Sequence, residues 1–511
     1  MSGSRKDPRD YTRQLRAAMR RYLPWRGLAL LGSDRWTDRL LVTAALLMVF
    51  SGLSTLGDRF AEARAAVVKM YPSRRRPGSS YGGFSKKLRA HSARLLDLLV
   101  QSLRQRMIQS AGEHWKVGRF LAFGVDGTKA DAPRSLANQK HLKIGGKRKS
   151  GPQQLLVSVM HVGTGLPWSW RRGEATASER GLLLAQLGVL PAGVLLLMDA
   201  GFTGYEFRTS LLAAGHQVLV RAGANLTLLE KLGWVVEERG DLVYLWPTLA
   251  QQKGGEPLVL RRIVVVDGRN RRMCLLTNLS AAQMSVSEAV ELYRRRWGIE
   301  VLYRGLKQTL GRRKMLSDAP ENARVELDWT MAGYWMLGLL LWEQREEQVS
   351  VTCGVAEALR LVRGAMAGRG DKRGNFAAGW GRLTVDRYPR HHPKAARDWP
   401  HKKTEPPCGI PEMRIATVLE VRRAKRLARL KMAAQFTALG AMLLMGQGPR
   451  QEHADGQSDR ASPVVTSEPL HPIARERQLL CINQSSSHSS PSSPSPSPPP
   501  STPKPPPPPH P

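Results

Sequence analysis

Acidic side chains are scarce in this chain of 511 residues. Asp and Glu total 42 against 78 Lys and Arg, which leaves a net charge of +36. The imbalance runs along the whole length rather than collecting in one tail. Such a surface points to a polyanionic partner, because neutralising phosphates releases condensed counterions. A ribosome-like or nucleoid-packing protein meets that condition as well as an enzyme does. Cysteine is also rare: Cys274, Cys353, Cys408 and Cys481 are the only four, and none stands in a C-x-x-C or Cys/His pairing. This excludes a disulfide framework and a zinc ribbon, and it fits reduced thiols in a cytoplasm. Long apolar runs are missing too. Residues 40–53 and 329–342 are the most apolar stretches, and both fall short of the ~20 residues a membrane span needs. The first lies too far inside the chain for a signal peptide. Both are expected as buried helices of a soluble protein with no membrane partner.

What is present changes character along the chain. Residues 1–112 alternate Arg/Lys faces with Leu/Ala/Val faces at helical spacing, which predicts a basic helical N-terminal region. Two readings stand for it: a DNA-end-binding domain, or a packing domain with solvated basic faces. From about 117 the pattern turns to short apolar runs. VGRFLAFGVDG, QQLLVSVMHVG, LPWSWRRG, GVLLLMDAG and HQVLVRAG read as strands, with Thr164-Gly165 as a turn between the second and third. Thr176 and Glu179 stand at capping-box spacing, so a helix is expected to open there, and YEFRTSLLAAG reads as another helix. The fold class is therefore α/β, a mixed sheet flanked by helices. Residues 113–222 form the first part of this core. Residues 223–280 read as an all-β insertion of hairpins, one turning at Asp267-Gly268. Residues 281–366 return to the core with a long helix over about 286–310, opened by a capping box of Ser285 and Glu288 and closed at Gly311. A basic linker (367–410), a basic amphipathic helix (411–446) and a Ser/Pro-rich tail too polar to fold (447–511) complete the chain.

Three acids carry the chemical interest. Asp126 and Asp199 each close an apolar strand and are each followed by small residues, VDG and MDAG, which leaves room for a carboxylate to face a cleft. Taken singly, each also reads as a strand-ending Asp that starts a turn. The third acid lies in YRRRWGIEVLYRGLK, residues 293–307. On a continuous helix advancing about 100° per residue, Arg296, Glu300 and Lys307 lie within about 60° of Tyr293, so one stripe presents Tyr, Arg, Glu and Lys. Leu292, Ile299, Leu302, Leu306 and Leu310 give this helix an apolar face. Trp297 is expected in the core. His161, in an otherwise apolar strand, is expected as a satisfied core histidine.

The spacing Tyr, two residues, Arg, three residues, Glu, six residues, Lys resembles the signature of the IS-4 group of bacterial insertion-sequence DDE transposases. FGVDGTKA and LLLMDAGF look like that group's two aspartate blocks, and LTNLS resembles its last-strand block. The resemblance covers roughly residues 115–345. It implies a ribonuclease-H-like core with a β insertion between the second Asp and the Glu. It implies catalysis by Asp126, Asp199 and Glu300 as ligands of two Mg2+ ions, with Mn2+ able to substitute, since such ions take hard oxygen donors. Tyr293, Arg296 and Lys307 would then grip end phosphates. Trp234 and Trp246 are the insertion's aromatics that could stack a flipped base. The cationic loop 140–151, with Lys143, Lys147, Arg148 and Lys149, reads as a backbone-tracking DNA contact. The implied partners are double-stranded DNA, as transposon ends and target, and a second copy in a synaptic homodimer. The implied place is the cytoplasm, at the bacterial nucleoid. The alternative is a catalytically decayed or repurposed copy that only holds DNA.

Overall fold

Continuous apolar runs make the strands of the computed structural model, which describes residues 10–24, 35–73, 76–145, 151–235, 240–266, 272–343, 355–369 and 409–445. The core strands are β1 (Ala122–Asp131), β2 (Gln153–His161), β3 (Leu166–Glu174), β4 (Leu195–Met198) and β5 (Gln217–Ala222). They are ordered β3-β2-β1-β4-β5, with β2 antiparallel to both neighbours and β1, β4 and β5 mutually parallel. This is the ribonuclease-H-like arrangement. β4 is a bare LLLM run, buried throughout, as a strand covered on both faces must be.

The insertion does not form a separate sheet. Its strands β6 (Thr227–Glu230), β7 (Leu242–Leu245), β8 (Leu258–Val266) and β9 (Arg272–Thr277) continue the same sheet, because β9 pairs antiparallel with β5. It is also not purely β, since a short helix, Thr248–Gln252, lies between β7 and β8. A tenth strand, β10 (Glu412–Ile415), adds itself in parallel to β6 and closes that edge. The expected turn at Asp267-Gly268 lies outside the described residues, as do most of 367–410 and all of 447–511.

Helices cover the core. In chain order they begin with α1 (Tyr11–Arg20), α2 (Asp38–Phe50), α3 (Leu56–Met70) and α4 (Tyr81–Ala111). The two apolar stretches singled out above become α2 and the last two turns and more of Pro320–Glu343, and both are buried. Among the described residues no helix is long and apolar enough to cross a membrane. One hydrophobic core runs from Leu15 through the strands to Met366, so the N-terminal helices pack against the sheet-bearing part. Arg312 ties them together. It is 2% exposed, and its Nη2 donates to the carbonyls of Met48, Val49 and Ser51, where α2 leaves its last carbonyls unpaired. A second, smaller core lies under the insertion, formed by residues such as Leu229, Tyr244, Trp246 and Ala424. The chain divides into a unit spanning Met1–Met442 and another spanning Leu443–Pro511, the latter described only where the last helix, Val418–Met445, ends.

Candidate active site

Asp126 and Asp199 meet because β1 and β4 run parallel. Their register pairs Ala122 with Leu195, Phe123 with Leu196 and Gly124 with Leu197. Carried two residues on, it sets Asp126 level with Asp199 on strands ~4.8 Å apart, with both side chains on one face. Asp126 does not end its strand as expected: β1 continues to Asp131, paired with β2, and Asp126 lies opposite Ser158. β4 stops at Met198, so the side of β1 facing Asp199 is open there. Asp126 Oδ1 accepts the Gly127 N–H at 2.8 Å, and Asp199 Oδ1 accepts the Gly201 N–H at 2.9 Å.

A third carboxylate joins them, and sequence reasoning missed it. Glu179 was expected to close a capping box with Thr176. Instead Ser178 caps the helix Glu179–Leu184, accepting from the Gly181 N–H, while the Thr176 hydroxyl donates to Glu174. Glu179 is thereby released at the first position of the helix, and its carboxylate enters the cleft. A side chain at Gly127 would collide with it, and a Cβ at Gly201 would lie 3.0 Å from Asp199 Oδ1 and 3.8 Å from Glu179 Oε2. The glycines after the two aspartates thus make space for a third acid, and that pairing is the signal by which Glu179 could have been found. Burial does most to push the Asp126 pKa up to about 6. The Gly127 N–H opposes the rise, and repulsion from Asp199 adds to it. Glu179 is raised as well, by burial first and by Asp199 second.

The Glu300 segment is not one long helix. It breaks into α-helices Val286–Arg295 and Gly298–Arg304, followed by a π turn, Gly305–Thr309. The capping box of Ser285 and Glu288 forms, and Gly311 takes a φ of +68°. The break at Arg296–Trp297 lies over β1: a Cβ at Gly124 would come within 3.7 Å of the Arg296 carbonyl oxygen. Trp297 is 55% exposed, not in the core, because the expected helix is interrupted here and Trp297 stands at the start of its second piece. From this segment Tyr303 donates its hydroxyl to the Asp126 carbonyl at 2.6 Å and accepts the Ser158 N–H at 3.3 Å. Lys307 Nζ donates to Thr128 Oγ1 at 2.6 Å, and burial lowers its pKa. Arg296 is the junction. It lies near enough to Asp126 to favour that carboxylate, its guanidinium stacks 5.5 Å from the Tyr293 ring centre, and its Nη2 stands 3.4 Å from Glu300 Oε1.

Thus Asp126 and Asp199 are brought together with Glu179, while Glu300, on the helix Gly298–Arg304, is tied to Arg296, the cation that also favours the Asp126 carboxylate. Tyr293 is buried under Arg296, and burial raises its pKa. Lys143 is exposed and paired with Glu174 at 2.7 Å. Lys147, Arg148 and Lys149 lie outside the described residues. Trp246 is 3% exposed, its Nε1–H donating to the Gly255 carbonyl, and Trp234 packs half-buried on the same small core. His161 is buried and satisfied, its two ring nitrogens 3.0 Å from the Thr164 hydroxyl and the Trp115 carbonyl.

Asp126, Asp199 and Glu179 offer hard oxygen donors whose mutual repulsion a divalent cation would relieve, so the donor set fits Mg2+ or Mn2+. Among the described residues no three His, Cys, Asp or Glu side chains are already gathered into an ion-holding group.

Parts of the chain are similar to known proteins. Residues 121–336 match the family described as Transposase DDE domain. The chain is 26% identical over 319 residues to "Transposase InsG for insertion sequence element IS4" of Escherichia coli (strain K12), spanning 57% of this chain and 70% of that protein. A solved piggyBac transposase synaptic complex with hairpin DNA overlays with a TM-score of 0.34 at 11% identity, over 72% of this chain and 73% of that one.

Proposed function

We propose that this chain, whose residues 121–336 match the Transposase DDE domain family and which is similar to an IS4-element transposase, cuts phosphodiester bonds at the ends of its own element and joins the freed 3′ ends to target DNA. The observation that carries the reading is the Asp126–Asp199 pair, one on β1 and the other just past the end of the parallel strand β4, with Asp126 pushed up to about 6 by burial and by its neighbours. Carboxylates left mutually repelling in a cleft are poised for a cation. Asp126, Asp199 and Glu300 would hold two Mg2+ ions, or Mn2+ in their place. When bound, such ions activate the attacking oxygen and stabilise the leaving one.

The remaining work belongs to side chains. Arg296 holds Glu300 aside until a DNA phosphate takes its guanidinium, which frees the Glu300 carboxylate for the cleft. Tyr293 backs Arg296, and Lys307 holds a phosphate from beside Thr128. Lys143, Lys147, Arg148 and Lys149 track the backbone next to the first catalytic strand. Tyr303 fixes the β1 carbonyl at Asp126 and so the height of that carboxylate. The partners are duplex ends, target DNA and a second copy of the chain, at the nucleoid in the cytoplasm.

A second reading, a copy that holds DNA without cutting it, draws on Glu300 being tied to Arg296. One experiment separates the two. A duplex bearing the element's own end should be nicked in Mg2+ by the wild type. Asp199→Ala should lose this by at least about a thousandfold while its end binding changes less than about twofold. Nicking by Asp199→Ala would overturn the assignment of the acids. Binding without nicking by the wild type would leave only the second reading.

A further inference from the structure

The last described helix, Val418–Met445, lies far along the chain from the acids. Six cations stand between Val418 and Gln435, and the single acid among these residues, Glu420, is buried. At about 100° per residue, Arg422, Lys425, Arg426 and Arg429 fall within a ~100° stripe. All four are exposed. The opposite side of the helix is the packed one: Ala424 is fully buried, and Val421 and Leu427 press on the small core under the insertion. The two remaining cations lie off the stripe and are engaged, Lys431 with Glu256 at 2.6 Å and Arg423 with the Gln251 side-chain oxygen at 3.5 Å.

The helix is held firmly in place. Arg414 on β10 grips Glu420 through two bonds of 2.8 and 2.7 Å, and Gln251 of the insertion donates to the same carboxylate at 3.1 Å. The stripe is thus fixed to the sheet, so its cations are presented together rather than on a loose tail. From Arg422 to Arg429 it rises ~10 Å, enough to meet successive phosphates of one DNA strand.

We propose that the stripe of Arg422, Lys425, Arg426 and Arg429 is a phosphate-tracking surface for duplex DNA, separate from the carboxylate cleft. It rests on the reading that this chain acts on DNA. Its four side chains are all cations spaced along one helix face, so the stripe is assigned to the phosphate backbone, a contact that positions DNA without regard to sequence. The exposed apolar residues Val418, Leu419, Leu430 and Met432 flank it. A second copy is the disfavoured occupant, because an isologous contact would set this cationic face against itself.

The test measures binding of the full-length chain to a fluorescent 40-base-pair duplex, either the element's end or random sequence, across a NaCl series. Two double variants each remove two charges from the same helix: Arg426→Gln/Arg429→Gln on the stripe and Arg423→Gln/Lys431→Gln off it. The stripe variant should lose at least about tenfold affinity at 0.15 M salt, equally on both duplexes, and its log–log salt slope should shrink by about 1.8, with the off-stripe variant near wild type. A stripe variant that binds like wild type overturns this proposal alone. So does a loss confined to the end sequence, or a loss accompanied by dissociation of a wild-type dimer in sedimentation. Wild-type protein that binds neither duplex overturns the transposase reading along with it.

Discussion

Asp126, in the ribonuclease-H-like part of the sheet, has its pKa pushed up to about 6, whereas Glu420, on the helix covering the insertion, is held down at about 2. Both carboxylates are largely removed from water, so burial alone does not distinguish them. The difference lies in what each one meets. Glu420 meets Arg414 first, then the Thr417 N–H and the Gln251 amide. Asp126 meets two other acids, one backbone N–H and the Arg296 guanidinium, which together do not offset its burial. A buried acid with cationic and N–H partners holds structure together. A buried acid crowded by other acids costs stability and is retained for chemistry. The same contrast extends to cations. Arg312 and Arg414 are engaged through their guanidinium groups, while Arg208 on the helix Tyr205–Ala213 is fully buried with no hydrogen-bond partner for its guanidinium nitrogens.

The sharpest way to break this comparison is Glu420→Ala. The variant loses the Arg414 pair, the Gln251 bond and the half of the reciprocal cap in which the Glu420 carboxylate accepts the Thr417 N–H. The Arg414 side chain is 40% exposed and can return to water, so the cost is about 3 kcal/mol rather than the larger figure of a fully buried pair. Hydrogen exchange should report it as roughly a hundredfold faster opening of β10 and the first turns of the helix Val418–Met445. In the parent chain the Glu420 contribution is fully present above its ordinary pKa of 4.5 and fades as pH falls toward 2, since its folded value lies below its unfolded one. Unchanged exchange would show that Glu420 is not a clasp.

Next in size, and opposite in sign, is Asp126→Asn. The folded-state pKa of Asp126 lies above the ordinary 3.8, so stability falls as pH rises through the window from about 4 to 6 and the full cost is present above it. Removing the charge should therefore stabilise the metal-free protein by about 2 kcal/mol at pH 8, with the advantage vanishing near pH 4. Urea melts in a chelator at the two pH values check this. An Asn variant no more stable than its parent at pH 8 would mean that the acids do not repel one another in the folded chain.

Much of this contrast was legible in the sequence, and what escaped did so for tertiary reasons. β1, β2, β4 and β5 announce themselves as apolar runs because a central strand must be buried on both faces. The Tyr-Arg-Glu-Lys spacing is equally plain. The break at Arg296–Trp297 is not, because no proline marks it; it arises where the segment crosses β1 at Gly124 and Met160 fits against Gly298. Glu179 was hidden by a choice between two caps. Thr176 and Ser178 both suit a helix start, and Ser178 takes it because Thr176 turns back to Glu174 at the end of β3. β10 is four residues that pair with a strand some 185 positions earlier, and the bond between Thr227 and Glu412 is not written in any local pattern.

The smallest effect tests how far the two strands of the site depend on the helix above them. The Tyr303 hydroxyl lies between the Asp126 carbonyl and the Ser158 N–H, groups on register partners of β1 and β2. Burial pushes its pKa well above the ordinary range, so it stays a neutral donor at any working pH. Tyr303→Phe would leave both backbone groups without it, normally a cost of ~1–3 kcal/mol. Here Asp126 and Ser158 already face each other and can close the gap by bonding directly, so about 1 kcal/mol is expected. That closure shifts β1 and with it the Asp126 carboxylate. The nicking rate should therefore fall about tenfold with end affinity unchanged, because a small displacement of a catalytic group is felt in the chemical step. A fall of a thousandfold or more would mean that the hydroxyl acts on the reacting atoms. A melt lowered by 1 kcal/mol with nicking at the parent rate would mean that the height of Asp126 is set by β1 and β2 alone.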